Sequence, residues 1–304
     1  MTSATLARTR AAPALSGWLE QLFDFGAQET RGERLQFGLL ELFVLGYAVR
    51  FAWQWGQEIQ TLAGMVVPQG IAQHVDISFM FQSPLPLINA AGITLCALCA
   101  SFGRARRVAF TLLPVLLHLQ YVARHSLGKT AHGSQFIGMA LLLLAVAAWS
   151  MPTPSSARRF ALGATRFFMG VGYVCAGICK LAATGSNWAD GRHLWLWIGE
   201  RGIDRLSDVG QHQLNVVQQL CLDQRWAATL FLSFGLATEL LGFTLWFRRT
   251  RPFITLALIG LHLGVFAAMD LFFDTYVYQL AIVGLPLAGI VDRFIGRRAL
   301  SPAR

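Results

Sequence analysis

The chain has 304 residues, 55% of them hydrophobic and 13% charged, with a mean hydropathy of +0.49 and a formal net charge of +9. This balance excludes an ordinary soluble domain and places the chain among polytopic membrane proteins. Its arginines fall in the connections between apolar runs, so the basicity reads as a topology signal with anionic lipid headgroups as partners, and not as a nucleic-acid surface.

Residues 1–17 lack a sustained apolar core and do not read as a cleaved signal peptide; they read as a disordered cytoplasmic tail. The remainder, 18–304, reads as a single transmembrane domain. In its first part, Trp18, Leu19, Leu22, Phe23 and Phe25 are interspersed with Glu20, Asp24, Glu29, Arg31, Glu33 and Arg34, which predicts an amphipathic interfacial helix over about 18–36. Eight apolar runs follow, near the roughly 20 residues a bilayer requires: 37–57, 85–102, 108–124, 133–151, 160–181, 226–247, 252–270 and 275–291.

Arg104, Arg106 and Arg107 lie between the second and third runs, Arg158 and Arg159 between the fourth and fifth, and Arg248, Arg249 and Arg251 between the sixth and seventh. Arg293, Arg297 and Arg298 follow the eighth, and Arg8 and Arg10 precede the first. Every second connection is basic, the positive-inside pattern. The expected fold is therefore an all-α polytopic membrane helix bundle of about eight transmembrane helices with both termini cytoplasmic, in a bacterial cytoplasmic (inner) membrane.

Lys180 stands near the outer end of the fifth run, in YVCAGICKLAATGSNW. A charge at membrane depth is costly and marks a functional site by default, although lysines at helix ends also snorkel to the interface. Tyr173, one heptad earlier, shares its face, and Gly170, Gly172, Ala176 and Gly177 are small enough to admit a neighbouring helix. A partly dehydrated lysine there can serve as a general base.

Other ionisable and aromatic residues cluster at the same depth. RHSLGKTAHGSQF carries His125 and His132, and His118 and His125 lie seven apart on the third run. Asn187, Trp188 and Asp190 follow Lys180, and Trp195 and Trp197 suit an aromatic belt or a re-entrant segment. Glu239 and His262 lie inside the sixth and seventh runs, where a Glu–His pair joining two helices is the structural alternative to a functional role. Glu41, Arg50 and Arg166 read as interhelical pairing, and Asp270 and Asp274 mark the last outer turn. The five cysteines, Cys96, Cys99, Cys175, Cys179 and Cys221, have no matched CxxC pairs and read as small packing residues, with no metal site expected.

The Lys180 segment resembles the Tyr-x-x-Ala-Gly-x-x-Lys-Leu then Trp signature of the vitamin K-dependent gamma-carboxylase-like superfamily, also called the horizontally transferred transmembrane (HTTM) domain. AHGSQF resembles that family's Asn-His segment, and LHLGVFAAMDLFFDTYVYQLAIVGLP resembles its penultimate and final helices. The similarity spans roughly residues 30–290.

The resemblance implies a membrane-embedded enzyme of the carboxylase type, a carbon–carbon lyase. Its lysine deprotonates reduced vitamin K, whose anion reacts with dioxygen, and the oxygen base so formed takes a γ-proton from peptide glutamate before carbon dioxide adds. Carried across, Lys180 would be the quinol base, with His132 and His262 as further catalytic residues. Tyr173, Trp188 and Glu239 would bind the cofactor, either reduced vitamin K or menaquinol. The partners so implied are the lipid bilayer and a secreted peptide or protein.

Two departures stand beside the matches. Cys179 precedes Lys180 where the eukaryotic carboxylase has a second lysine, and that enzyme carries a large soluble region after its membrane domain. Short bacterial relatives include a protein that matures a secreted peptide toxin, so a non-redox maturation or export helper is the second reading. A proton-coupled small-solute transporter using Glu239 and His262 is the third.

Overall fold

A computed structural model of the chain describes residues 17–61, 65–129 and 132–295, and every regular element among them is helical. The tail, up to residue 16, lies outside the described residues. Twelve α-helices follow in order: α1 (Gly17–Phe23), α2 (Arg31–Thr61), α3 (Leu85–Ser101), α4 (Arg106–Ser126), α5 (Gln135–Ser150), α6 (Pro154–Thr184), α7 (Arg192–Val209), α8 (Val216–Asp223), α9 (Arg225–Leu240), α10 (Arg251–Met269), α11 (Asp274–Gly284) and α12 (Leu287–Ile295). Four are long and apolar enough to cross a membrane: α2, α6 and α10, and α9 with its 3-10 continuation. The bent pair α11–α12 makes a fifth if counted as one span, and α3 and α5 are shorter apolar helices. This is an integral-membrane helix bundle.

The core is laid out on α2. Leu40, Val44, Ala48 and Ala52, four residues apart, form one completely buried stripe, and Trp55 extends it. Small residues dominate the surfaces that meet it, with Ala90, Ala97 and Ala100 of α3 and Ala140 and Ala147 of α5 in the same cluster. Without water to drive them together, membrane helices associate through such close contact.

Two expected elements are broken, each for a local reason. The interfacial helix expected over 18–36 ends at Phe23, and the chain turns through Asp24 at φ 50° before α2 begins at Arg31. Thr30 and Glu33 restart the helix by reciprocal capping. The Glu33 N–H donates to Thr30 Oγ1 at 3.1 Å, and the Glu33 carboxylate accepts from the Thr30 N–H at 3.0 Å. Likewise, the single span expected over 275–291 is two helices bent by 53° at Leu285–Pro286.

Pro286 has no N–H to offer Ile282, and the Leu287 N–H turns to Leu285 O at 2.8 Å, which deprives Val283 as well. Side chains from other helices supply both missing donors. Gln36 Nε2 donates to Ile282 O at 2.6 Å, and Arg166 Nε donates to Val283 O at 2.7 Å. A break in a membrane helix is tolerated where its freed carbonyls are met in this way.

α12 then folds back onto the start of α2. The Gly32 N–H donates to Asp292 Oδ1 at 2.8 Å, and a Cβ at Gly32 would collide with the Ala288 carbonyl. Because that neighbour is backbone, Gly32→Ala is expected to cost about 1–3 kcal/mol and to lower the thermal midpoint of the purified protein. Gly38→Ala faces open space inside the same helix and should not lower it.

Candidate functional site

Along α6, Arg159, Arg166, Tyr173 and Lys180 recur at intervals of seven residues and occupy one gently rotating face. Each meets a different partner. Arg159 pairs with Glu33 of α2 at 2.9 Å, Arg166 caps α11, Tyr173 meets His262 of α10, and Lys180 meets Glu239 of α9. Glycines bring the helices close enough for this. Gly170 lies against the Gly242 carbonyl and the Trp246 indole, and a Cβ on Gly177 would sit 3.0 Å from Leu240.

Lys180 and Glu239 form a direct ion pair and hydrogen bond. The Glu239 side chain is 8% exposed and that of Lys180 30%, so the contact is buried at one end and opens at the other. Lys180 Nζ also lies 4.7 Å from the Trp188 ring centroid, over its face. Trp188 is held in place by packing with Leu194 and Ile198 of α7 and Ala228 and Leu232 of α9.

The pair stands in the wall of a cavity of about 380 Å³. Trp188, Trp197, Phe231 and Leu261 give it an apolar lining, and Gly235, Gly260 and Gly264 leave the volume open. Gly260 and Gly264 lie one turn apart on α10 in a small-xxx-small pattern, a signal visible in the sequence that the hydropathy reading passes over.

Beside this cavity lies a second polar pair. Tyr173 Oη and His262 Nε2 are 2.6 Å apart and buried. The His262 ring meets Phe273 and Tyr276 edge-on at centroid distances of 5.5 and 5.2 Å, and Phe136 packs against both Tyr173 and Tyr276. With Tyr173 donating to Nε2, the neutral imidazole carries its proton on Nδ1. Among the described residues, the buried atoms His262 Nδ1, Glu239 Oε2 and Gln279 Oε1 lack a hydrogen-bond partner. Buried polar atoms left open in this way are uncommon and call for an explanation.

The sequence-predicted residues therefore divide. Lys180, Glu239 and Trp188 converge on one cavity, and Tyr173 with His262 forms the adjoining pair. The Glu239–His262 pair weighed as the structural alternative does not form; Glu239 meets Lys180 and His262 meets Tyr173. His132 opens the short 3-10 turn His132–Ser134, and its side chain lies outside the described residues. Its neighbour is fixed nearby, because Thr275 Oγ1 donates to the Gly133 carbonyl at 2.6 Å. Tyr276, which bridges Phe136 and His262, is a member that sequence reasoning missed.

The other polar groups serve elsewhere. His118 and His125 both stack on Tyr121, and His118 with Tyr121 lines a separate groove of about 650 Å³ between α4 and α5. Glu41 pairs with Arg106 at 2.8 Å, Arg50 with Asp274 at 3.4 Å, and Arg166 reaches a carbonyl oxygen. Trp195 donates its indole N–H to the Cys221 carbonyl at 2.6 Å, and burial pushes the Cys221 thiol up, which disfavours the thiolate. Among the described residues no three His, Cys, Asp or Glu side chains converge as a metal site.

Compared with known proteins, the chain matches no family model, no curated protein and no solved structure. The chemistry of the site thus rests on its own residues.

If Lys180 and Glu239 compensate each other, each single substitution, Lys180→Met or Glu239→Leu, should destabilise more than the double substitution implies. Since one partner is buried and the other partly open, a double-mutant cycle on thermal unfolding is expected to give a coupling of about 1–3 kcal/mol. Coupling near zero would mean that the two side chains do not depend on each other.

Proposed function

We propose that this chain is a quinol-dependent membrane enzyme of the vitamin K-dependent gamma-carboxylase-like type, acting from the extracytoplasmic half of the bilayer on a peptide or other substrate. In this reading α2, α3, α4, α5, α6, α9, α10 and the α11–α12 pair are eight spans with both termini cytoplasmic. The arginines at alternate connections support that orientation. The observation that carries the proposal is the Lys180–Glu239 pair in the wall of an apolar cavity, with the second carboxylate oxygen of Glu239 unpartnered.

The residues fit a quinol. A cavity of about 380 Å³ is in the range of small-molecule sites, and its aromatic and glycine lining suits a flat ring entering from the lipid. Trp188 and Trp197 offer stacking faces, and Lys180, the more open end of the ion pair, offers a partner for a hydroxyl, with the unpartnered Glu239 Oε2 buried behind it. When bound, reduced vitamin K or menaquinol supplies the reducing power for dioxygen, and with carbon dioxide as the second co-substrate that chemistry supports carboxylation.

The chain's own task is proton handling. In a water-poor site the proton of the Lys180–Glu239 contact can rest on the carboxylate, which leaves Lys180 an amine able to accept a hydroxyl proton. Trp188 covers the ammonium that results. Tyr173 fixes the His262 ring, so that Nδ1 is held as a directed donor. The transporter reading needs a Glu239–His262 relay, and the crosswise pairing supports it less well.

The test is quinol turnover in nanodiscs under air, followed as quinone epoxide by chromatography with reduced vitamin K or menaquinol. Lys180→Ala is expected to lose about 10²–10⁴-fold of the activity. Lys180→Arg should lose as much, because a guanidinium keeps the charge but does not give up its proton. Gly260→Leu, which fills the cavity without touching the pair, should abolish turnover in folded protein. Full activity in Lys180→Ala would end the base assignment, and no epoxide from folded wild type would favour the maturation helper.

A further inference from the structure

At the arginine-rich end of the bundle, two heptads before Lys180 and so about 21 Å from it along α6, lies a second polar cavity, of about 460 Å³. The α11–α12 break forms one wall, the starts of α2 and α10 and part of α6 form others, and α1 closes it. α1 is held there by Leu22 and Phe23, which press against Gly163, and by Trp18, which packs on Phe167 and Trp246.

Four arginines line this cavity: Arg159, Arg166, Arg248 and Arg251. Its carboxylates are all engaged. Glu33 pairs with Arg159, Asp24 with Arg248 and Glu29 with Arg158, while Asp292 accepts a neutral backbone N–H from the first turn of α2. Arg166 and Arg251, by contrast, contact only carbonyl oxygens among the described residues. Arg166 uses Nε on Val283 O, and Arg251 reaches Leu245 O at 2.9 Å with Nε and Gln21 O and Trp246 O with Nη2. Two guanidiniums thus share a partly enclosed space with no carboxylate of their own. A charge held away from water is ordinarily matched by an opposite charge, and the planar fork of arginine matches a phosphate.

We propose that this cavity binds a phosphate group between Arg166 and Arg251, with the exposed Arg248 at its mouth. With Arg158 counted, five guanidiniums meet four carboxylates here, and the anion answers the remaining positive charge. It also joins the broken α11–α12 segment to α6 and α10, so occupancy stiffens that end of the bundle. The phosphate comes either from an anionic phospholipid headgroup or from a soluble phosphate, and the two sources are separable. This inference is independent of the quinol reading.

The test uses the full-length protein in detergent, with thermal midpoint and native mass spectrometry as readouts. The probes are inorganic phosphate and short-chain phosphatidic acid, with phosphatidylcholine and chloride at matched ionic strength as controls. Phosphatidic acid is expected to bind and to raise the midpoint, while phosphatidylcholine does neither. A matching rise with inorganic phosphate assigns a soluble source, and a rise with phosphatidic acid alone assigns the lipid headgroup.

Arg166→Gln and Arg251→Gln should each weaken binding by at least about tenfold, the loss of one charge-assisted contact. Arg166→Lys keeps a donor for the Val283 carbonyl and loses the fork, so it reports binding even if Arg166→Gln does not fold. The proposal is overturned if neither probe raises the midpoint above its control, or if Arg251→Gln and Arg166→Lys bind as wild type.

Discussion

Hydrocarbon offers no partner to a polar group, so each charge or open carbonyl that enters the bilayer must be answered from another helix, and in this protein α6 makes contacts of this kind with four other helices. Its four polar residues at seven-residue spacing, Arg159, Arg166, Tyr173 and Lys180, reach α2, α11, α10 and α9 in turn. An α-helix drifts by about 20° per heptad against a strict seven-residue repeat. Successive members of the series therefore point to successive neighbours around the bundle. One helix fixes the positions of four others, and the glycines at 170 and 177 allow the approach that this requires.

Structure and chemistry use the same contacts. The Lys180–Glu239 pair holds α6 to α9, and it also sets a nitrogen in the wall of an apolar cavity, with a buried carboxylate oxygen behind it. The pair is asymmetric: Glu239 is nearly closed off while Lys180 opens to the space beside Trp188. At the other end of the helix the same economy recurs, with Arg166 capping a carbonyl freed by Pro286 while its remaining nitrogens border a polar cavity.

Much of this was legible in the sequence. Apolar run length located α2 to α6, α9 and α10 but neither α7 nor α8, and the heptad from Tyr173 to Lys180 placed both on one face. The partner of Lys180 was not legible, because Glu239 lies 59 residues away on a separate helix and only the packing of α6 on α9 decides that it meets Lys180 rather than His262. The α11–α12 bend was hidden because hydropathy averages over Pro286, which removes one donor without lowering apolarity. The break between α1 and α2 was written in Thr30 and Glu33 as a capping box, a signal of spacing and not of hydropathy. The cavity was the least legible feature, since it depends on what Gly235, Gly260 and Gly264 lack.

The proposed function requires that a quinol bind in the apolar cavity beside Lys180. The direct measurement is photolabelling of the protein in nanodiscs with a photoreactive menaquinone analogue, in the presence and absence of excess menaquinol, followed by peptide mapping. The account expects label on the α9 segment from Phe231 to Glu239 and the α10 segment from Gly260 to Met269, lost under competition and lost in Gly260→Leu. Competed label confined to the α4–α5 groove around His118 and Tyr121 would contradict it.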